Sequence, residues 1–466
     1  MELTYTRRLA DFLESIRYED LPQEVVDQVK KMTLHVLGAS IGALGLEAAH
    51  RPIQLACAKG GAAEATVWGS DGSKKVPASE AAFANGTLAD FMDWEDCSWT
   101  GHPSAGLIPC TLAQGEKMGA SGKAYITAVA TGFEGYERIA MSMQPTRAFL
   151  TSGHGWGLAS WQIFAASLPV GKLLGFTSDQ FNQLLGASEY TAIVPSNRHS
   201  EGLTKSDIYH YCHGFNARNG IVAAEVTLAG FDNLRDCLDG NDGFWRNVSD
   251  QVDMEWVVKE MGTKWYITET YFKHWPSNMW VQTPLEAMDR IMKRHPFTLD
   301  EVAKIRVSPP IGMITGDYSA TTRTCLDAQF SIPYCLTAYI MDPRMGAHWF
   351  TEDMLNNRTL IDFAENFEYF GEPRIPNDCF KEFEKGTFPE VTVKVYLKDG
   401  TELTETMRHP KGHPRNNFTM EEEFNHFRMC CKPYMKPEQI EKIISLVAML
   451  EDLENIGELA ELGALH

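Results

Sequence analysis

The chain has 466 residues, and its 42 lysines and arginines stand against 62 aspartates and glutamates, so its formal charge is −20. Hydrophobic residues make up 44% and charged residues 22%, a composition typical of a folded globular protein and not of a disordered one. The excess of acid excludes a nucleic-acid binder, because contacts with phosphates require a basic surface. A small anionic substrate would require a locally positive pocket within this negative surface.

The sequence gives no indication of export or membrane insertion. The N-terminal segment has no apolar run, so we expect no secretory signal. The least polar stretch, 34–49, is interrupted by polar residues and is too short to span a bilayer. The ten cysteines form no C-x-x-C pair, which argues against disulfides, structural zinc and an iron–sulfur cluster. We therefore expect a cytoplasmic protein with reduced thiols, no bound metal and no membrane contact.

Helical periodicity dominates the first 260 residues. Apolar residues from Val25 to Val36 recur on one face of a helix that follows Pro22. Residues 177–180 form a capping box that predicts the start of another helix. Small residues, such as those at 39–43 and 164–167, suit close helix–helix contact in a bundle.

Strand patterns begin after Trp265 and end before the last helices. A capping pattern at 298–301 leads into an alternating strand at 304–308. Alternating residues at 390–397 and 401–407 flank the dipeptide Asp399-Gly400, which predicts a hairpin turn. Helices resume after Thr419 and again at Pro437, where the second helix carries an apolar stripe.

This order of elements predicts a mainly α protein. We expect a large all-helical domain built from both chain ends, 1–265 and 404–466, with a smaller α+β lid domain, 266–403, inserted between them. The standard signatures for dinucleotides, nucleoside triphosphates, zinc proteases and serine hydrolases do not occur. Their joint absence disfavours a nucleotide- or zinc-dependent enzyme, and we expect no cofactor.

The first of three polar clusters lies between Asp90 and Ser104. It holds four carboxylates and His102 within thirteen residues, interleaved with aromatic residues. Crowded carboxylates raise one another's pKa values, so the cluster is a candidate acid–base site. The alternative is a polar helix end and loop whose acids are solvated.

The second cluster runs from Asn197 to Gly214 and includes Arg198 and Lys205. A guanidinium and an ammonium on a glycine-containing loop suit a substrate carboxylate, although an ordinary solvated loop would show the same residues. The spacing of His210 and His213 would permit a metal, but such spacing is common by chance.

The third cluster, 153–157, places three glycines around His154 at a predicted helix start, where a ligand can approach backbone N–H groups. A lone histidine in a turn is more often structural than catalytic. The segments 273–282 and 330–334 read, from spacing alone, as core or lid packing.

Together these segments resemble the MmgE/PrpD family over most of the chain. The resemblance rests on the order and spacing of the following pieces: Ala84-Asn-Gly-Thr-Leu-Ala89 with Asp90-Phe-Met-Asp93, His102-Pro-Ser104, Leu203-Thr-Lys205, Ala328-Gln-Phe-Ser-Ile-Pro-Tyr334 and Gly412-His-Pro-Arg-Asn416. It implies a helical domain with an inserted lid, a homodimer, and a cofactor-independent enzyme related to 2-methylcitrate dehydratases, cis-aconitate decarboxylases and iminodisuccinate epimerases.

The resemblance also implies a set of site residues. The candidate catalytic residues are Asp93, His102, His154, His199, Lys205 and Tyr334. The candidate substrate-binding residues are Cys97, Arg198, Lys273 and Gln282. His102 or His199 would exchange the proton, and Lys205 and Arg198 would hold carboxylates.

Two positions bear on the choice of reaction. Cys97 stands where decarboxylase-like members carry threonine, and Gln282 stands where many members carry histidine. The methylcitrate-dehydratase branch has a glutamine at the second position.

We therefore predict a lyase that acts on a small polycarboxylate, most like a 2-methylcitrate dehydratase. The alternatives are an epimerase, isomerase or decarboxylase that uses the same site, and a non-catalytic binding protein that retains the fold.

Overall fold

The computed structural model describes residues 3–98, 100–143, 157–193, 208–249, 252–311, 324–363, 366–374, 382 and 385–465. Helices account for 59% of the residues and strands for 8%, which confirms the prediction of a mainly α protein. None of the helices in these ranges is long and apolar enough to cross a membrane. The nine cysteines that fall within them are free thiols.

The helices of four or more residues occur throughout the chain. In chain order they are α1 Tyr5–Ser15, α2 Gln23–Gly42, α3 His50–Lys59, α4 Ala78–Asp90, α5 Ser104–Met118, α6 Gly122–Ser142, α7 Gly157–Leu173, α8 Ser178–Tyr190, α9 Ile208–Leu228, α10 Glu255–Val258, α11 Gln282–Arg294, α12 Cys325–Gln329, α13 Ile332–Met341, α14 Glu352–Leu355, α15 Arg358–Phe363, α16 Met420–Cys431, α17 Pro437–Ala448 and α18 Gly457–Glu461. Short 3₁₀ turns connect several of them.

The predicted helix starts are confirmed where the signal is local. Pro22 precedes α2, and the side chains of Thr177 and Thr419 accept hydrogen bonds from the third backbone N–H of α8 and α16. The apolar stripe of α17 is buried, as its spacing predicts. Each of these signals lies within one helix or its first turn, so distant residues do not alter it.

The strands form two sheets. In chain order they are β1 Asp96–Cys97, β2 Tyr271–Phe272, β3 Val302–Ser308, β4 Phe367–Tyr369, β5 Val391–Leu397 and β6 Glu402–Met407. The larger sheet has the order β4-β3-β5-β6, and only the β3–β4 pair is parallel. The predicted hairpin is confirmed: β5 and β6 pair antiparallel, with Gly400 at a φ of 92° in the turn.

Helices from the two ends of the chain pack against each other. Near the C-terminus, α16 and α17 lie on α2, while the larger sheet packs against α11. The buried apolar residues form one continuous core through these elements. The last strand ends at Met407, and the division into domains at 265 and 403 stays a prediction.

Glycines bring α4 and α9 unusually close. A Cβ atom added to Gly86 would lie 3.2 Å from Cα of Gly214, and one added to Gly214 would lie 2.4 Å from the carbonyl oxygen of Phe83. The two helices therefore cross almost backbone to backbone. This close approach brings the first two turns of α9 to the end of α4, where the first polar cluster begins.

Candidate active site

The first polar cluster is buried, so the alternative reading of solvated acids is wrong. Helix α4 ends at Asp90, and Asp93 adopts a left-handed φ of 49°, which turns the chain back toward the core. The side chains of Asp90, Asp93 and Glu95 have no solvent exposure, and His102 is 4% exposed. Four ionisable groups in one closed space must have their charges compensated locally.

Lys273 supplies that compensation. Strands β1 and β2 pair antiparallel, with Asp96 opposite Phe272, and this pairing brings Lys273 beside the cluster. The Lys273 ammonium donates hydrogen bonds to Asp93 Oδ1 and, over 2.6 Å, to Glu95 Oε1. The lysine side chain is itself fully buried. The structure thus brings together Asp93, His102 and Lys273, three of the residues that the family resemblance implied.

Glu95 links the lysine to the histidine. Nδ1 of His102 lies 2.6 Å from Glu95 Oε1 and 3.5 Å from Lys273 Nζ. Burial favours the neutral form of Glu95, but Lys273 and His102 outweigh burial and lower the pKa of the carboxyl. Burial likewise opposes the charge on Lys273, and the carboxylates of Asp93 and Glu95 raise its pKa above the ordinary value. Glu95 is therefore ionised and lies beside the charged ammonium of Lys273.

Asp90 occupies the other side of the cluster, together with two histidines of α9. Nδ1 of His210 lies 2.9 Å from the Asp90 carbonyl oxygen and 3.0 Å from Oδ2. Nε2 of His213 is 3.5 Å from Asp90 Oδ1, without hydrogen-bond geometry. Burial and the neighbouring charges of Glu95 and Asp93 raise the pKa of Asp90 well above its usual range. The Asp90 carboxyl therefore holds its proton more firmly than an ordinary aspartic acid does.

The interpretation of 208–214 as part of a loop was wrong. These residues form the first turns of α9, and Gly214 lies in the helix interior, where it permits the contact with α4. Burial and the neighbouring His102 lower the pKa of His213 to about 3, so its ring is neutral. Sequence patterns alone assign no role to Asp90, Glu95 or His210. The crowded carboxylates do indicate that the segment holding Asp90 and Glu95 is a candidate site.

Burial disfavours the ionised forms of Cys97 and Asp96, which follow Glu95 in the chain. Cys97 in β1 is fully buried, and burial raises the pKa of its thiol well above the usual value. Burial and the charge of Glu95 raise the pKa of Asp96 in the same direction. Neither carboxyl oxygen of Asp96 has a hydrogen-bond partner within the described part of the chain. A role of Cys97 in binding a substrate stays a prediction.

Gln282 and Tyr334 are buried and bonded to the backbone. The Gln282 amide accepts from the N–H of Trp275 at 2.9 Å and donates to the carbonyls of Trp275 and Ser277, each at 2.8 Å. The Tyr334 hydroxyl donates to the carbonyl of Trp349. Gln282 thus fixes the segment that follows Lys273. Direct contact of either residue with a substrate stays a prediction.

The remaining candidates lie outside the described residues. They are His154, Arg198, His199 and Lys205. Two of the cations expected to hold substrate carboxylates are among them, so those roles also stay predictions.

A cavity of about 260 Å³ lies at the end of β1, and no residue of the acid cluster lines it. Ser98, which follows Cys97, lines it together with the cations Lys264, Lys385 and Arg415. Glu137 and Glu269 also face this cavity. With three cations against two acids, its wall is locally less negative than the chain as a whole, as an anionic ligand requires.

The cluster contains the groups needed for proton transfer. Lys273 offers a fixed positive charge, and Glu95 orients His102 so that Nε2 is the nitrogen that can exchange a proton. Donor atoms of Asp93, Glu95 and His102 also lie within 4.8 Å of one another, a spacing that would suit a metal ion. The Lys273 ammonium already contacts two of these donors, so a second cation there would meet charge repulsion.

Comparison with known proteins agrees with the implied relationship. The chain matches the model of the MmgE/PrpD N-terminal domain over residues 7–257 and that of the MmgE/PrpD C-terminal domain over residues 275–452. A cis-aconitate decarboxylase from Homo sapiens is 23% identical, over 98% of this chain and 94% of its own length. A cis-aconitate decarboxylase from Aspergillus terreus is 22% identical, over 98% of this chain and 95% of its own.

Proposed function

This chain belongs to the MmgE/PrpD family, and we propose that it is a lyase that transfers a proton at a carbon next to a carboxylate of a small polycarboxylate. The observation that supports the proposal is the buried Lys273 ammonium, bonded to Asp93 and Glu95 and 3.5 Å from His102. A proton donor, an oriented imidazole and a fixed positive charge meet there in a site closed to water. Such groups stabilise the enediolate-like charge that develops when a proton leaves or joins that carbon.

The roles follow from the hydrogen bonds. Glu95 holds Nδ1 of His102, so Nε2 exchanges the proton with the substrate carbon. Lys273 places its charge beside the developing anion, and Asp93 orients the ammonium. Asp90, whose pKa is raised by burial and the neighbouring acids, is proposed as a proton donor within the cluster. Arg198 and Lys205 are proposed to bind the substrate carboxylates.

Loss of CO2 is the first reaction to test. Relatives that carry the name cis-aconitate decarboxylase align over 98% of this chain. In such a reaction a carboxylate leaves as CO2 and the electron pair is captured by a proton from the site. His102 is the group proposed to deliver that proton here, while the charge of Lys273 stabilises the carbanion.

Loss of water from a 2-methylcitrate-like tricarboxylate is the second candidate. It is favoured by Cys97, which stands where decarboxylase-like members carry threonine, and by Gln282, which the dehydratase branch shares. Dehydration needs a base at carbon and an acid at the leaving hydroxyl. His102 as the base, and Asp90 with its raised pKa as the acid, suit this division of roles.

A substrate panel tests the proposal. The purified chain is incubated separately with cis-aconitate, 2-methylcitrate, citrate and iminodisuccinate, and each reaction is followed by NMR. We expect turnover of one tricarboxylate, with CO2 or water as the second product. The Lys273→Met variant is the matched control and should be inactive on the same substrate.

The other outcomes discriminate between the alternatives. Deuterium incorporation from D2O without loss of CO2 or water would identify an epimerase or isomerase. No reaction with any of the four acids, from a folded protein, would contradict the proposed lyase function and favour a binding protein.

A further inference from the structure

A second buried cluster of ionisable side chains lies between α2 and α16. It consists of His35 on α2, and Glu423 and His426 on α16, all of them buried. Nδ1 of His35 is 3.1 Å from Glu423 Oε1, and Nδ1 of His426 is 3.8 Å from the same oxygen. One donor atom from each residue lies within 4.8 Å of the other two. The proton-transfer chemistry proposed above does not use these residues.

The helical spacing explains how the donors converge. Glu423 and His426 are three residues apart and therefore share one face of α16, which packs on α2. Cys430, one turn further along, places its Sγ 3.9 Å from Nδ1 of His426. The rings of His35 and His426 stack 4.8 Å apart, with both Nδ1 atoms toward the carboxylate of Glu423.

We propose that His35, Glu423 and His426 bind a divalent transition-metal ion of the zinc class, with the fourth position open to water. Two imidazoles and a carboxylate form a donor set suited to such an ion. In a tetrahedral site with bonds of about 2.0–2.2 Å, neighbouring ligand atoms are roughly 3.4 Å apart. The two distances to Glu423 lie on either side of that value.

The charge balance also favours a cation at this place. Glu423 is fully buried, and among the described residues no lysine or arginine nitrogen forms an ion pair with it. The active-site cluster differs in this respect, because the Lys273 ammonium forms ion pairs with Asp93 and Glu95. A bound ion would supply the missing positive charge. Burial and the neighbouring imidazoles lower the pKa of His426, so its ring is available in the neutral form that binds metals.

The surroundings provide both a route of entry and an outer shell. His426 lines a cavity of about 390 Å³, together with His274, Glu286 and Glu422, through which an ion could reach the cluster. The ring of His426 makes a hydrogen bond to the backbone of His274, the kind of contact that orients metal-binding histidines. His274 follows Lys273 directly. A metal here would hold α16 on α2 and support the segment that carries the active-site lysine.

The sequence predicts no metal, because it contains no closely spaced set of cysteine and histidine ligands. The ligands proposed here come from positions 35, 423 and 426, and no short motif contains them. Only the contact between the two helices reveals the cluster.

Metal binding by the full-length protein tests the proposal. The chain is stripped with a chelator, loaded with Zn²⁺, passed over a desalting column and analysed by elemental mass spectrometry. We expect one tightly held ion per chain, and a higher melting temperature after loading. Loading with Co²⁺ should give the strong visible absorption of a four-coordinate ion.

Variants locate the site. His426→Gln and Glu423→Gln should each lose the ion, whereas the control His295→Gln, on an exposed residue, should retain it. If neither cluster variant folds, the metal content and the Co²⁺ spectrum of the wild-type protein decide the question. The proposal is overturned if the wild type shows no saturable binding or no four-coordinate cobalt spectrum, or if folded cluster variants retain the full complement of metal.

Discussion

The ammonium of Lys273 lies 2.6 Å from Glu95 Oε1, although the two residues are 178 positions apart in the sequence and both are fully buried. Removing two charges from water costs free energy that their mutual attraction only partly returns. A pair of well-packed apolar residues at the same place would be about as stable or more so. We therefore attribute this ion pair to the positioning of charge for proton transfer and not to stabilisation of the fold.

Replacing Lys273 by methionine should destabilise the protein and abolish turnover. The substitution leaves Asp93 and Glu95 buried without their counter-ion, which costs about 3–5 kcal/mol. Urea unfolding measures the loss of free energy, and the substrate panel measures activity. Lys304 is the control: both side chains of its ion pair with Glu368 are exposed, so Lys304→Met should cost less than about 1 kcal/mol. Equal unfolding curves for Lys273→Met and the wild type would contradict the buried-pair description.

His102→Gln should reduce kcat by about 10²–10⁴ with a small effect on folding. Glutamine can still donate a hydrogen bond to Glu95, but it cannot exchange a proton at the position of Nε2. His295→Gln, on an exposed histidine, is the matched control and should retain wild-type kcat. If kcat of His102→Gln stays within threefold of the wild type, another group exchanges the proton.

Much of the fold could be predicted because its signals are local. The capping boxes at Thr177 and Thr419 and the turn at Gly400 each involve residues within a few positions of one another. The assembly of the active site could not be predicted from such signals. Lys273 reaches Glu95 through the pairing of β1 with β2, two-residue strands that leave no alternating pattern to detect.

The start of α9 was predicted as a loop for a different reason. The histidines and Gly214 suggested a loop, since glycine is unfavourable inside a helix. In the structure the glycine is required by the backbone of α4, which passes too close for a side chain. The periodicity of α9 cannot indicate that requirement, because the backbone of α4 imposes it.

This contact gives a third prediction. A Cβ atom at Gly214 would lie 2.2 Å from Thr87 Oγ1 and 2.4 Å from the carbonyl oxygen of Phe83, so Gly214→Ala must push α9 away from α4. We expect a loss of about 1–3 kcal/mol in unfolding free energy. We also expect lower activity, because His210 would move away from Asp90. Thermal and urea unfolding measure the first effect.

Gly106 in α5 provides the control for that substitution. A Cβ atom there would lie 3.8 Å from the carbonyl oxygen of His213, an ordinary contact. Gly106→Ala should therefore leave stability unchanged or raise it by about 0.5–1 kcal/mol, since alanine favours the helix. If both substitutions had the same effect, close approach of α4 and α9 would not be the reason for Gly214.

A fourth prediction concerns Glu137, whose buried carboxyl faces the cavity beside β1 and accepts hydrogen bonds from Thr100 at 2.7 Å and Ser98 at 3.1 Å. Burial raises its pKa from 4.5 to about 7, despite those hydrogen bonds. Below pH 4.5 the folded and unfolded chains both hold the proton. Between pH 4.5 and 7 the unfolded chain loses it first, so the stability that this group contributes falls as the pH rises.

The difference in unfolding free energy between the wild type and Glu137→Gln isolates this effect, because the other titrating groups cancel. It should decrease by about 3 kcal/mol from pH 4.5 to pH 7.5, since each pKa unit corresponds to about 1.4 kcal/mol. Glu441 is the contrasting position: its hydrogen bond with Arg428 lowers its pKa, so for Glu441→Gln the same difference should rise with pH. Urea unfolding at four pH values measures both differences. A difference for Glu137→Gln that stays constant with pH would contradict the raised pKa, because a carboxyl that ionised alike in the folded and unfolded chains would add no pH dependence to stability.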